Sequence, residues 1–424
     1  MIPTPDAGNN GRAAGLLAWG VTWRLLALTV GPGLVVMLAD TEAGSVIAAA
    51  QSGAEWGYRL VLPQFMLTPA LFMAQELAGR LGMTTRQGLA ELVLIRSGCF
   101  PALLLLATLV VSCIGALVTE LSGLAGVGEL FGAPVWQSSA VAVVGLLSIV
   151  WTGSYRSVEL MAIAVGLCEL AFIALAWLAH PSPTEMAAQA LQMPLGDRGY
   201  RYLLAANLGT CVIPWAVFYQ QSASIDKGLT GANLAAMRIE TLFGAILCQT
   251  VTAAVMVAGA AAFGHGAAAG QPLDKVGEIA AAFSAPIGPT AGRVVFALGL
   301  SGGALVAAIV VCLTAARAFG EALGLRHSLS ESPARAPWFY GTFTVVLVAG
   351  GVLVASGVNL VRLSVAGGVL NALLLPIVLW FLYRMARHQL PADVRLRGTY
   401  AVAVAIVFAV TAGVGVYAGV AGSL

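Results

Sequence analysis

The sequence predicts an all-α polytopic membrane protein with about eleven transmembrane helices. Three observations carry that prediction. Of 424 residues, 59% are apolar and only 9% are Asp, Glu, Lys or Arg, against about 25% charged in a soluble domain. The chain carries 50 Gly, which membrane helices tolerate better than soluble ones. Its mean hydropathy is +0.90. So little charge cannot coat a soluble globule, which sets aside a soluble enzyme, a nucleic-acid binder and a disordered chain. The net charge of +2 implies no acidic partner.

A span needs about 20 mostly apolar residues. Runs of that kind fall at about 29–52, 60–80, 99–124, 135–153, 158–179, 202–224, 240–263, 290–320, 338–357, 361–384 and 399–422. The third and eighth are long enough to tilt or to extend past the bilayer. The stretches between them are short and hold no soluble domain. Met1 to Asn10 has no basic stretch leading into a short apolar core, so no cleavable signal peptide is expected. With the N-terminus inside, 15 of the 21 Lys and Arg fall on the inner side and 6 on the outer. The excess predicts a cytoplasmic N-terminus and an outer C-terminus, in a bacterial inner membrane.

Cys99, Cys113, Cys168, Cys211, Cys248 and Cys312 lie in or beside apolar runs without zinc spacing and read as small buried hydrophobes. His180, His265, His327 and His388 all fall between runs, so an intramembrane His relay is not expected.

Two runs look broken. The first passes from Gly31-Pro32-Gly33 to Asp40, Thr41, Glu42, Ala43, Gly44 and Ser45; the sixth holds Gly209 and Pro214 around Thr210, Cys211, Val212 and Ile213. Proline removes a donor and clashes with the preceding turn. Freed carbonyls at membrane depth persist only where they line a cavity or site. Interrupted spans at matching places in two halves point to a midplane site in an inverted-repeat transporter. Spans 1–5 and 6–10 would be the repeats, at about 29–180 and 201–384, with 399–422 as an extra helix, all in one transmembrane domain.

Asp40 and Glu42 are the sharpest signal. A carboxylate at mid-bilayer costs about 2.5–3.5 kcal/mol even on insertion scales, so a cation, a proton or a buried partner must offset two of them. Asp40 reads as a cation ligand. Glu42 reads equally as a ligand or as the cap of the second half-helix, where an acid suits the macrodipole. Glu120, deep in the third run, is either a relay or an interhelical hydrogen-bonding group. Glu76, Glu159 and Glu169 read as packed or snorkelling acids. Arg317 and Glu321 read as an i, i+4 ion pair.

The run GPGLVVMLAD, with AAAQSGAEWGYRLVLPQF and AQELAGRLGMTTRQGLAEL after it, resembles the NRAMP family of divalent-metal transporters. The resemblance spans residues 31 to about 96, resumes in the sixth run, and returns loosely in LNALLLPIVLWFLYRM. It implies the LeuT-like fold, a 5+5 inverted repeat plus one extra helix, with a metal ion as substrate and no cofactor. The family's Asp-Pro-Gly-Asn becomes Asp40-Thr41-Glu42-Ala43, without the Asn ligand. Its Ala-Thr-Val-Met-Pro-His becomes Thr210-Cys211-Val212-Ile213-Pro214-Trp215, so Met becomes Ile213 and His becomes Trp215. The third-span acid matches Glu120, and the second acid falls at Gly123. This pattern resembles the divergent branch that includes magnesium transporters.

Losing the thioether leaves mainly oxygen donors, which suit Mg²⁺, Ca²⁺ and Mn²⁺. Mg²⁺ keeps several waters and needs one or two carboxylates. The expectation is therefore a monomeric secondary transporter of Mn²⁺ or Mg²⁺, without strict proton coupling. Its metal site would use Asp40, Glu42, Thr210 and Cys211, supported or gated by Thr41, Ser45, Glu120, Ile213 and Trp215. The rival is an amino-acid or other organic-solute transporter on the same fold, which Trp215 would suit.

Overall fold

The structure is a computed structural model that describes residues 36–37, 39–151, 166–263, 270, 272–284, 287–323 and 337–424. Gly31-Pro32-Gly33, Glu159, His265 and His327 lie outside the described residues, as does the side chain of Glu321. The described residues form helices joined by turns, with no strand among them.

Among the described residues sixteen α-helices follow one another. They are α1 Ala43–Trp56, α2 Val61–Met66, α3 Thr68–Thr85, α4 Leu89–Ser97, α5 Cys99–Leu130, α6 Val135–Trp151, α7 Ala171–Leu178 and α8 Pro183–Ala190. Then come α9 Arg198–Cys211, α10 Pro214–Asp226, α11 Leu234–Phe263, α12 Val276–Ser284, α13 Pro289–Leu323, α14 Pro337–Ala355, α15 Leu360–His388 and α16 Gly398–Ser423. Helix is present at each of the eleven expected spans. The third and eighth are the long ones, with 32 residues in α5 and 35 in α13. Among the described residues, seven helical stretches are long and apolar enough to cross a membrane, and three shorter apolar helices lie at the fourth, fifth and ninth positions.

Both predicted breaks are present. Residues 36, 37, 39 and 40 are helical, Thr41 bends, Glu42 is extended at φ −62° and ψ 168°, and α1 begins at Ala43. In the sixth span α9 ends at Cys211, Ile213 is extended at φ −94° and ψ 133°, and α10 restarts at Pro214. Pro214 dictates the second break. It disfavours helical geometry in the residue before it, and its missing N–H is harmless at the first position of a helix. Thr210 lies four residues before Pro214, so its carbonyl has no helical N–H to receive.

The packing repeats when the spans are shifted by five. The first span (α1) packs on the seventh (α11), and the sixth (α10) packs on the second (α3). The third and eighth, α5 and α13, pack on each other and so map onto their own partner under the shift. Glycines permit these approaches. A Cβ at Gly53 would lie 2.1 Å from the Met256 carbonyl, and one at Gly209 would lie 1.9 Å from that of Gly368. Without a hydrophobic drive between helices in lipid, such backbone contact supplies the packing.

Candidate functional site

The two breaks sit in the buried centre of the bundle. Asp40, Thr41, Glu42, Ser45, Thr210, Cys211, Ile213 and Trp215 are all buried. Asp40 is 0% exposed, and neither of its carboxylate oxygens has a hydrogen-bond partner. It stands beside Glu42 and close enough to the Cys211 and Cys248 thiols to interact electrostatically.

Glu42 occupies the cap position of α1 but makes no capping hydrogen bond through its side chain. Its carboxyl folds back over Gly44, where a Cβ would be 3.0 Å from Oε1. The capping group is Glu120 of α5, whose Oε2 accepts from the Ala43 N–H at 3.1 Å. This corrects the capping alternative for Glu42 and gives Glu120 an interhelical hydrogen bond. The Glu42 and Glu120 carboxyls are also within hydrogen-bonding reach of each other. The Ser45 hydroxyl donates to the Glu42 carbonyl at 2.9 Å and so stiffens the first turn of α1.

Ala43 and Gly123 stand where the resemblance implies an Asn and a second acid, and they touch. A Cβ at Gly123 would lie 2.5 Å from the Ala43 Cβ. The close approach of α5 to the break therefore leaves no room for a side chain at 123.

On the second break, the Thr210 hydroxyl donates to the Asn207 carbonyl at 3.3 Å. The Cys211 sulfur accepts from Gln249 Nε2 at 2.6 Å, and Gln249 Oε1 accepts from Gln64 Nε2 at 2.6 Å. Cys211 thus ends an amide chain running from α2 through α11. Ile213 is fully buried, and the buried Trp215 indole N–H has no partner. No three His, Cys, Asp or Glu side chains among the described residues converge as a metal cluster. Of the expected ligands, Asp40 is unpartnered, Cys211 is held by Gln249, and the Glu42 carboxyl lies over Gly44 beside Glu120.

Three other charged groups find their places. Glu76 is packed rather than snorkelling. It is 0% exposed, pairs with Arg80 and with Arg238, the latter at 2.8 Å, and accepts from the Tyr400 hydroxyl at 3.2 Å. The bundle closes over it because α3, α11 and α16 meet there. Arg317 pairs with Asp226 at the end of α10, since α13 runs beside α10; the described contact is between helices rather than within one. Glu169 is also 0% exposed. Its carboxyl lies beside the Thr41 hydroxyl at the first break, and α13 meets both at Gly303. An acid in the middle of the apolar 158–179 run was the signal for it. Gly303 carried no signal, because glycine is frequent along all these helices.

The chain has clear relatives. The Nramp family model, described as natural resistance-associated macrophage protein-like, matches residues 33–421. A protein of Acidiphilium cryptum named divalent metal cation transporter MntH is 26% identical over 411 residues, covering 91% of this chain and 89% of its own. A protein of Verminephrobacter eiseniae with the same name is 26% identical over 383 residues, covering 83% and 80%. A mutant of the Eremococcus coleocola manganese transporter superposes with a TM-score of 0.74 at 14% identity, covering 98% of this chain and 88% of that one. MhsT in complex with L-phenylalanine superposes at 0.58 with 12% identity, covering 92% and 98%. At such identities the superpositions establish the LeuT-like fold and nothing finer. With the family match extending over nearly all of its length, this multi-pass membrane protein belongs to the Nramp family.

Proposed function

We propose that the chain is a secondary transporter that carries divalent metal cations across the membrane by alternating access. The observation that carries this reading is Asp40: wholly buried, without a hydrogen-bond partner, at one helix break and facing a second. Among the described residues Arg80 is the one buried base, and it serves Glu76. A carboxylate so placed needs a cation. The names of the Acidiphilium and Verminephrobacter relatives support a divalent metal as that cation, and the Eremococcus neighbour is named for manganese.

The donor set narrows the ion. Asp40 and Glu42 supply charge, Thr210 supplies the carbonyl that Pro214 leaves without a helical partner, and Ile213 supplies no thioether. Cys211 adds its sulfur only on release from Gln249. Hard oxygen donors suit Mn²⁺ and Mg²⁺, and soft ions lose their preferred ligand. Alternating access is rocking of the first and sixth spans against the rest of the bundle, in an inner membrane with the N-terminus cytoplasmic.

Transport runs without strict proton coupling. The family's second acid is replaced by Gly123, whose position Ala43 blocks, and its His is replaced by Trp215. Membrane potential suffices as a drive. Two charges across 100 mV are worth about 4.6 kcal/mol, enough for roughly a thousand-fold accumulation at about 1.4 kcal/mol per factor of ten.

The test is uptake of Mn²⁺ and Mg²⁺ into proteoliposomes that also hold a pH-sensitive dye. The expected result is saturable uptake driven by the ion gradient and potential, with little acidification. Absence of uptake for a panel of divalent metals overturns the proposal. Metal-dependent acidification that vanishes in Glu120→Gln restores a coupled mechanism. The unpartnered Trp215 N–H favours the organic-solute alternative, and a panel of amino acids competing with the metal tests it.

A further inference from the structure

We propose that an arginine-lined cavity between α3, α11 and α16 holds the phosphate headgroup of an anionic phospholipid. The cavity measures about 490 Å³, and Arg80, Arg238, Arg395 and Arg397 all line it. Its setting is fixed by the fold. Arg80 is 3% exposed, and its Nη1 donates to the Val394 carbonyl at 3.2 Å. Arg395 Nε donates to the Leu390 carbonyl at 2.9 Å, and the Leu396 N–H donates to the Ala386 carbonyl at 3.2 Å. The segment that carries Arg395 and Arg397 is therefore fastened to both α3 and α15. Arg397 is the cap residue of α16, and no side-chain hydrogen bond caps that helix. First-turn N–H groups beside the cavity add donors for an anion.

The charge count favours an anionic guest. Among the lining residues the one acid is Asp393, and Glu76 lies behind it, paired with Arg80 and Arg238. Four arginines against these two carboxylates leave an excess of two positive charges. Arg395 and Arg397 are exposed, and neither forms an ion pair among the described residues. The planar guanidinium fork matches phosphate oxygens in pairs. Position then selects a lipid over a free phosphate. The cavity lies where two membrane-spanning stretches begin, at the starts of α11 and α16. Immediately beyond it, α11 exposes Ile239, Leu242 and Phe243, and α16 exposes Val402 and Ile406. A soluble phosphate uses the arginines alone, whereas a phospholipid uses the arginines and lays its acyl chains on the apolar faces next to them. Basic pockets between spans recognise lipid headgroups in this way. A phosphate there bridges Arg238 of α11 to Arg397 of α16 and adds to the tie that Glu76 makes between the same helices.

The experiment uses purified, delipidated full-length protein in a neutral detergent. Thermal unfolding is followed while phosphatidylglycerol, phosphatidylcholine or soluble glycerol 3-phosphate is titrated in. The expected result is a saturable rise in Tm with phosphatidylglycerol that phosphatidylcholine does not give. The apparent affinity should fall at least tenfold in the double variant Arg395→Gln, Arg397→Gln. It should be retained in Arg384→Gln, Arg387→Gln, which removes two exposed arginines of α15 outside the cavity lining. If the first double variant does not yield monodisperse protein, Arg397→Gln alone replaces it, with a weakening of at least threefold expected. A wild-type protein that responds alike to the two lipids overturns the proposal, as does a cavity variant that responds like wild type. Glycerol 3-phosphate acting at the same concentration as phosphatidylglycerol assigns the cavity to a soluble phosphate and overturns the lipid. Because the titration contains no divalent metal and reads no uptake, its failure is distinct from a failure of the divalent-transport reading.

Discussion

Among the described residues, two groups of buried acid in this bundle are met in opposite ways. At one, Glu76 is surrounded by Arg80, Arg238 and Tyr400, and the Arg80 guanidinium also lies 5.7 Å over the Tyr400 ring. At the other, Asp40, Glu42, Glu120 and Glu169 share the break of the first span, with no buried base among the described residues to meet them. Burial is the same in both. The first group is matched within the chain and ties α3, α11 and α16 together. The second holds Asp40 without a hydrogen-bond partner and Glu120 on the Ala43 N–H. The partners of a buried acid, rather than its depth, thus separate a structural acid from a ligand.

That contrast can be broken by substitution. The largest effect is expected at Asp40. Asp40→Ala should reduce divalent uptake into proteoliposomes by at least about a hundred-fold, since the charge that offsets dehydration is gone. The variant should still purify as folded protein. Uptake at the wild-type rate would remove Asp40 from the site. Glu76→Ala should behave in the reverse manner. It strands Arg80, whose side chain is 4% exposed, and removing one member of a buried pair costs about 3–5 kcal/mol. A large fall in thermal stability is expected, and an unchanged Tm would show that the pair is not structural.

The contrast sharpens with smaller changes. Ile213→Met adds a soft donor beside the site and should raise the Cd²⁺ to Mg²⁺ preference by roughly tenfold, about 1.4 kcal/mol. Competition of Cd²⁺ against Mg²⁺ uptake measures it, and an unaltered ratio means that position 213 faces away from the ion. The smallest effect is expected at Arg362, whose pairing with Asp274 at 3.2 Å joins side chains 77% and 51% exposed. Exposed pairs contribute about 0–1 kcal/mol, so Arg362→Ala should leave the Tm and uptake near wild type. A marked loss in either would show that exposure is a poor guide to ion pairs here.

The order of the spans and the second break were determined by the sequence, because hydropathy and proline act locally. Twenty apolar residues cross a bilayer wherever they sit, and Pro214 interrupts its helix in any packing. The mid-span acid at Asp40 was legible for the same reason: its cost follows from depth alone. Which acids meet which partners was decided only by the tertiary structure. Glu76 and Glu169 look alike along the chain, each an acid within an apolar run. One is folded against two arginines and the other against a carbonyl and a bare glycine. Glu120 rather than Glu42 caps α1 because α5 crosses the break close enough to reach the Ala43 N–H. That same closeness leaves Gly123 without room for a second acid. Interhelical neighbours come from backbone approach between spans distant in the chain, and no local pattern encodes that distance.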